Sequence, residues 1–205
     1  MPPARTRPAP SARDRILATA CDLFYSRGLR AVGVDTLIAE SGVAKATFYK
    51  HFPAKDDLIL AYLDAMDQQR TDALHSAAEA AGPKPADQLV GAFEALPGIV
   101  GARGYRGCPF INAAAESPPG TRIHERAARH RADREAWFAD LAEVGGAADP
   151  DDVARSLSVL MDGALAGGAV NPGDTAVADS ALEQARRQVK RGLKGAPKPA
   201  GGKKK

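Results

Sequence analysis

Between Lys45 and His51 the chain reads Lys-Ala-Thr-Phe-Tyr-Lys-His, which places two ammonium groups, two hydroxyls and an imidazole within seven residues. Such donors can bond phosphate oxygens and the acceptor edges of bases. On a helix, Ala44, Phe48 and Phe52 recur at i, i+4 and i+8 as a packing face, while Ala46 and Lys50 point the opposite way, flanked by Thr47 and Tyr49. Small Ala46 allows close approach to a groove, and Lys45, Thr47, Tyr49, Lys50 and His51 supply the donors. A short helix with a wet polar face would share this pattern; the basic charge of the surrounding region argues for nucleic acid.

Cys108 with His75, His124 or His130 could be drawn as a nucleophile and base. No glycine-rich oxyanion turn or orienting acid accompanies them, and no phosphate-cradling loop or metal-spaced His/Glu cluster occurs. An enzyme is therefore not expected, nor is a cofactor or a bound metal. Cys108 stands in Arg106-Gly107-Cys108-Pro109-Phe110-Ile111-Asn112, at the start of an expected helix. A helix N-terminus with Arg103 and Arg106 nearby would lower the thiol pKa, so an oxidant or electrophile sensor stands beside the alternative of a buried core cysteine. Cys21, on the packed side of the first helix, is read as core.

The elements that must hold these residues read as helices throughout. Ser11 with Asp14 forms a capping-box variant, and Ile16, Leu17, Ala20, Leu23 and Phe24 follow at helical spacing to Gly28, so the first helix spans about Ala12 to Arg27. Short helices over Val34–Ser41 and Ala44–His51 flank Gly42, which supplies the positive φ a steep crossing needs, with Leu37, Ile38 and Val43 as the partner surface. A long amphipathic helix opens at Lys55 and continues to about Ala81. Further helices are expected at Ala86–Gly101, Cys108–Glu116, Thr121–Val144, Asp151–Val170 and Thr175–Arg191, separated by Gly, Pro or Asp clusters. No alternating strand pattern occurs, which makes the chain all-α.

The 205 residues are 44% hydrophobic and 26% charged, the composition of an ordinary globular chain. Two cysteines exclude a disulfide scaffold and a zinc ribbon. No stretch approaches about 18 uncharged apolar residues and no signal peptide follows the N-terminus, so a soluble cytoplasmic protein without membrane contact is expected. The net charge of +3 hides an asymmetry: residues 1–50 carry +4, residues 186–205 carry +9, and residues 51–185 carry −10. Such a body would be repelled by phosphate, which disfavours an unspecific architectural DNA protein and points to a nucleic-acid-facing N-terminal unit, the basic C-terminal tail either adding unspecific phosphate attraction or being a solvated end with no specific role. Residues 1–10 read as a disordered arm, 11–54 as a helix-turn-helix domain, 55–191 as a separate helical body, and 192–205 as a basic disordered tail too polar to join a core.

Ser41-Gly42-Val43-Ala44-Lys45-Ala46-Thr47-Phe48-Tyr49-Lys50-His51-Phe52-Pro53-Ala54-Lys55-Asp56-Asp57-Leu58 resembles the helix-turn-helix of the TetR family of bacterial transcriptional regulators, especially in its Gly-Val, Thr-x-Tyr-x-His-Phe and Lys-x-x-Leu elements. The resemblance covers about Ser11 to Leu63; beyond it only the string of helices agrees. It implies a homodimer on a palindromic double-stranded operator, released when a small molecule enters the C-terminal domain. Lys45 then matches a base-reading position, Thr47, Tyr49 and His51 match phosphate or groove contacts, and Lys55 a phosphate anchor. The chain departs from the family at Gly33, where a capping Thr is usual. It departs again at Asp35, where a base-reading residue is often basic, and at Ile38, where an alanine usually lets the helices approach. Asp35 could instead accept from cytosine N4.

In the C-terminal body, Leu157, Leu160, Met161 and Leu165 lie among small residues on one helix, and Ala178, Ala181, Leu182, Ala185 and Val189 stripe the last. This pair fits half of an intermolecular four-helix bundle, the dimer interface the resemblance implies, with the core of a monomer as the alternative. The residues expected near an effector cavity are Tyr62, His75, Phe93, Cys108, Phe110, Asn112 and Trp137, with Ile123, His130 and Phe138. No clustered charge in the sequence names a ligand class.

Overall fold

The computed structural model describes residues 10–193. Its described residues form α1 (Ala12–Arg27), α2 (Val34–Ser41), α3 (Lys45–His51), α4 (Lys55–Ala81), α5 (Pro85–Glu94), α6 (Leu96–Val100), α7 (Pro109–Glu116), α8 (Arg122–Val144), α9 (Pro150–Val170) and α10 (Ala176–Gly192), with no strand among them. Two compact units divide after Ala65, within α4. The arm expected over residues 1–10 lies outside the described residues except for Pro10. The tail expected over 192–205 lies outside them except for Gly192 and Leu193.

In the first unit, Ser11 Oγ accepts from the Asp14 amide at 3.2 Å while the Asp14 carboxylate accepts from the Ser11 amide, closing the expected capping box. The Ser11 hydroxyl also donates to the Asp14 carboxylate at 2.7 Å, and this bond with that of the Ser11 amide holds Asp14 below the ordinary carboxylate value. Ile16, Ala20, Leu23 and Phe24 line the buried face of α1, against which α2 and α3 pack. Gly42 sits at φ 66° and ψ 30°, the left-handed conformation that ends α2 and turns the chain into α3. Gly33, at the N-cap of α2, gives no side-chain hydrogen bond. The first turns of α4 bury Leu58, Ile59, Tyr62 and Leu63, and Tyr62 meets Phe24 edge to face at 5.6 Å.

In the second unit, α9 packs between α8 and α10, and α5, α6 and α10 close the core around Phe93, Leu96, Phe138, Leu157 and Met161. The single helix expected over Ala86–Gly101 is broken at Ala95, because Pro97 cannot donate to the preceding turn, and α6 restarts there as a short segment. The α9 helix, Pro150–Val170, has the length and mean hydropathy of a membrane span although it carries Arg155 and Asp162, and so comes nearer to one than the sequence reading expected. Seven buried residues on α9, among them Val153, Leu157, Met161 and Gly168, account for that apolarity as core. Gly168 is required here: a Cβ would lie 2.3 Å from Val100 Cγ1. Leu193 joins this core instead of starting the tail, with its methyls beside Gly145.

Candidate nucleic-acid interface and effector cavity

The α3 helix presents two unlike faces. Phe48 is wholly buried, with Phe52 and Tyr49 as ring neighbours at 6.4 and 5.5 Å, and Arg13 of α1 lies 5.2 Å over the Phe52 ring. Lys45, Ala46, Tyr49 and Lys50 are exposed, Tyr49 to 42%. Thr47 and His51 are half-buried at the edges of this face. Ala44 differs from its expected place: it is the exposed N-cap of α3, not a member of the packed face, and α3 begins at Lys45. Phe48 and Phe52 alone carry the packing. Asp35 is exposed in the first turn of α2 and Ile38 is half-buried.

Lys55 has a structural partner that sequence did not foresee. Its Nζ donates to the Leu29 carbonyl at 2.6 Å and sits 6.0 Å from the Phe24 ring centroid, tying the start of α4 to the turn after α1. Beside it, the Asp57 carboxylate accepts from the Ala54 amide at 3.2 Å and caps α4.

In the second unit, α8 buries Ile123, Ala127, His130, Arg134, Phe138 and Ala142 along one stripe. Two basic residues on a core stripe demand partners. The His130 Nδ1 hydrogen-bonds the Asp67 carboxylate, which also receives Arg126 Nη2 at 2.7 Å. Arg134 Nη2 donates to Asp162 at 2.6 Å, and Arg131 Nε reaches the same carboxylate at 2.9 Å. Burial alone would raise the Asp67 pKa, but its hydrogen bonds from His130 and Arg126 outweigh that and hold it below the ordinary value. Burial pushes the His130 pKa below 6.5 against the opposing pull of Asp67. Because an ionised carboxylate only accepts, Nδ1 is the donor toward Asp67.

Three adjoining cavities share His130 and Arg134. A tight inner space of ≈ 20 Å³ is bounded by Arg70, Leu74, Leu96, Cys108, Met161 and their neighbours. An outer one of ≈ 250 Å³ lies between Asp67, Thr71, His75, Asp133 and Trp137. A third, of ≈ 160 Å³, is walled mainly by Phe110, Ile111, Ala114, Ala127 and Ala128.

Of the expected cavity residues, His75, Cys108, Phe110, His130 and Trp137 border these spaces, and the His75 ring lies tilted by 34° against Trp137 with centroids 4.3 Å apart. Tyr62 does not: it belongs to the core of the first unit. Phe93 packs against Phe138 at 6.1 Å inside the core, where both rings are fully covered. Asn112 instead donates to the Arg106 carbonyl at 2.9 Å and staples the turn before α7. Cys108 is buried at the N-cap of α7. Burial pushes its thiol up, outweighing the Phe110 and Ile111 amides and the charge of Arg134, so the activation expected from the helix start is reversed. Cys21 is only half-buried, and burial with Asp22 nearby pushes it up to about 11. Sequence reasoning missed Asp67, Arg70, Arg126, Arg134 and Asp162. The signal was present in Arg126, His130 and Arg134, spaced by four on a helix whose same side carries Ile123, Ala127 and Phe138.

The family model described as "Bacterial regulatory proteins, tetR family" matches residues 16–62. The crystal structure of SCO4454, a TetR-family transcriptional regulator from Streptomyces coelicolor, superposes with a TM-score of 0.84 at 34% identity, over 90% of this chain and 92% of that one. This chain belongs to the TetR family. The TetR-family likeness extends to a transcriptional regulator from Streptomyces avermitilis, sav143, with a TM-score of 0.74 at 30% identity over 86% of this chain and 98% of that one. The HTH-type transcriptional regulator EthR of Mycobacterium tuberculosis is 39% identical over 90 residues, 42% of this chain. The match spans 40% of the length of EthR. As a TetR-family member the chain is a DNA-binding transcriptional regulator and not an enzyme.

Proposed function

We propose that the chain is a repressor that binds a palindromic operator as a homodimer and is released by a small molecule held in the second unit, with the cytoplasm as its place of action. The observation that carries this reading is the exposed face of α3, where Lys45, Ala46, Tyr49 and Lys50 stand free over a core anchored by Phe48. In this reading Lys45 reads a base edge, and Thr47, Tyr49, Lys50 and His51 hold phosphates or the groove wall. Asp35 accepts from cytosine N4, and Lys55 sets the approach of α4 and brings its positive charge to a phosphate.

Dimerisation is assigned to the outer side of α9. Val159, Gly163, Ala166 and Val170 are exposed at spacings of three and four, with Val159 at 59% and Val170 at 78%. This small, apolar stripe suits the close approach of a second copy of the helix. The functional division follows residues 11–54 for DNA and 55–191 for effector and dimer, with α4 as the covalent link. A ligand releases the operator only by favouring a dimer geometry that the DNA does not, so each must weaken the other by the same factor.

A thiol sensor through Cys108 is less well supported, because the thiol is buried and its pKa is raised. Fluorescence anisotropy with a selected palindrome and its scrambled version, before and after small molecules or peroxide, tests the reading. Equal affinity for both duplexes would contradict it. Release by peroxide that disappears in Cys108→Ser would favour the sensor.

A further inference from the structure

Arg134 is 6% exposed, and its side chain borders all three cavities. Asp162 satisfies one end of the guanidinium, while the buried Nε finds no hydrogen-bond partner. A buried N–H left in this way costs free energy unless something polar meets it. Arg70, on α4, also borders the inner cavity, and no hydrogen bond or ion pair joins it to a described residue. The inner cavity therefore has two guanidiniums and an imidazole on its walls, no carboxylate, and Leu74, Leu96, Met161 and Leu165 for the rest.

We propose that this cavity takes a small monocarboxylate with an apolar body, its carboxylate lying between Arg134 Nε and the Arg70 guanidinium. The proposal rests on the effector reading above and names the chemical class of the ligand. A planar carboxylate matches guanidinium N–H groups. A phosphate dianion is a poorer fit, since Asp67 and Asp162 stand close by and the walls are largely apolar. These two carboxylates are already engaged, Asp67 by Arg126 and His130, and Asp162 by Arg131 and Arg134. Asp67 and Asp133 border the outer cavity, which puts the anionic end on the inner side. The body then runs toward α7 into the space of ≈ 160 Å³ walled by Phe110, Ile111 and Ala127. An apolar cavity of about 150 Å³ accommodates a benzene ring.

Calorimetric titration of the full chain with phenylacetate, benzoate and octanoate, each beside its neutral amide, reads the site without DNA. At least one carboxylate is expected to bind about tenfold or more tightly than its amide, as charged hydrogen bonds require. Arg70→Met, at the cavity wall, should weaken that acid about tenfold and remove its advantage over the amide. Arg134→Lys keeps a cation for Asp162 but lacks the Nε–H, and should do the same. Equal binding of acid and amide, no binding of either class at millimolar concentration, or an unchanged preference in Arg70→Met would overturn the proposal. Binding of the acid without loss of operator affinity would instead overturn the effector reading and leave the carboxylate site standing. Operator release by the amides alone would leave the effector reading and remove the carboxylate.

Discussion

The ring of His130 lies face to face with that of Phe110, with centroids 3.6 Å apart and planes 10° from parallel, while its Nδ1 edge meets the Asp67 carboxylate. One flat side chain thus joins α8 to α7 through a stack and to α4 through a hydrogen bond. The arrangement suits a neutral imidazole, because its surroundings are apolar on the ring face and desolvation opposes the charged form.

A pH dependence follows with a definite sign. The folded His130 pKa lies below 6.5, so the unfolded chain takes up a proton first as pH falls. Its contribution is fully present above about pH 6.5 and is lost as pH falls through the folded value. Chemical denaturation of the parent and His130→Gln between pH 7 and pH 5 should give a flatter profile for the variant. Asp67 adds a separate loss below about 3.8, since its folded pKa is also depressed. Parallel profiles over pH 7 to 5 would remove His130 from the account.

Phe48→Ala should destabilise the first unit by about 3–5 kcal/mol through the cavity it leaves under α3. Thermal unfolding measures this. Tyr49→Phe keeps the ring at the edge of Phe48 and should leave the melting temperature within error while weakening binding to every duplex alike, because a phosphate contact carries no sequence information.

Much of this interface was legible in the sequence, because helix periodicity separates Phe48 and Phe52 from Lys45, Tyr49 and Lys50 without any knowledge of the rest of the fold. Gly42 and the Ser11–Asp14 cap were readable for the same reason: their backbone chemistry is local. Lys55 was not, since its Leu29 partner lies 26 residues away. The effector cavity was readable only in part. Aromatic residues marked its region, but Phe93 and Tyr62 went to cores, and what defines the cavity is the pairing of α4 and α9 carboxylates with a basic stripe on α8. Such pairings are set by tertiary packing, and one strand of sequence does not display them. Of the two readings of Cys108 the buried core cysteine holds, because burial opposes the thiolate more strongly than the helix start favours it.

Gly91→Ala should destabilise the second unit by about 1–3 kcal/mol through overpacking, even though alanine is the better helix former by about 1 kcal/mol. Its Cβ would come within 2.5 Å of Ala81 Cβ and 2.9 Å of the Ala77 carbonyl oxygen on α4. Gly163→Ala on α9 meets nothing within 4 Å and is the control expected to hold or raise the melting temperature at concentrations where the chain is monomeric.

Cys108 should resist alkylation by iodoacetamide at pH 7 in the folded protein and react once denaturant is added, because its thiol is covered and kept protonated. Mass spectrometry after timed quenching reads both rates. Rapid labelling of Cys108 in the native chain would restore the sensor reading.

In the proposed dimer, two copies of α3 read one palindromic sequence. This is tested most directly by selecting duplexes from a random pool with the parent and with Lys45→Ala. The parent is expected to select a two-fold symmetric site, with half-sites spaced by about 34–36 Å or a multiple. Lys45→Ala is expected to select the same site with one position per half-site relaxed by about 1–3 kcal/mol. An unselective pool from the parent, or an unchanged base profile from Lys45→Ala, would contradict this.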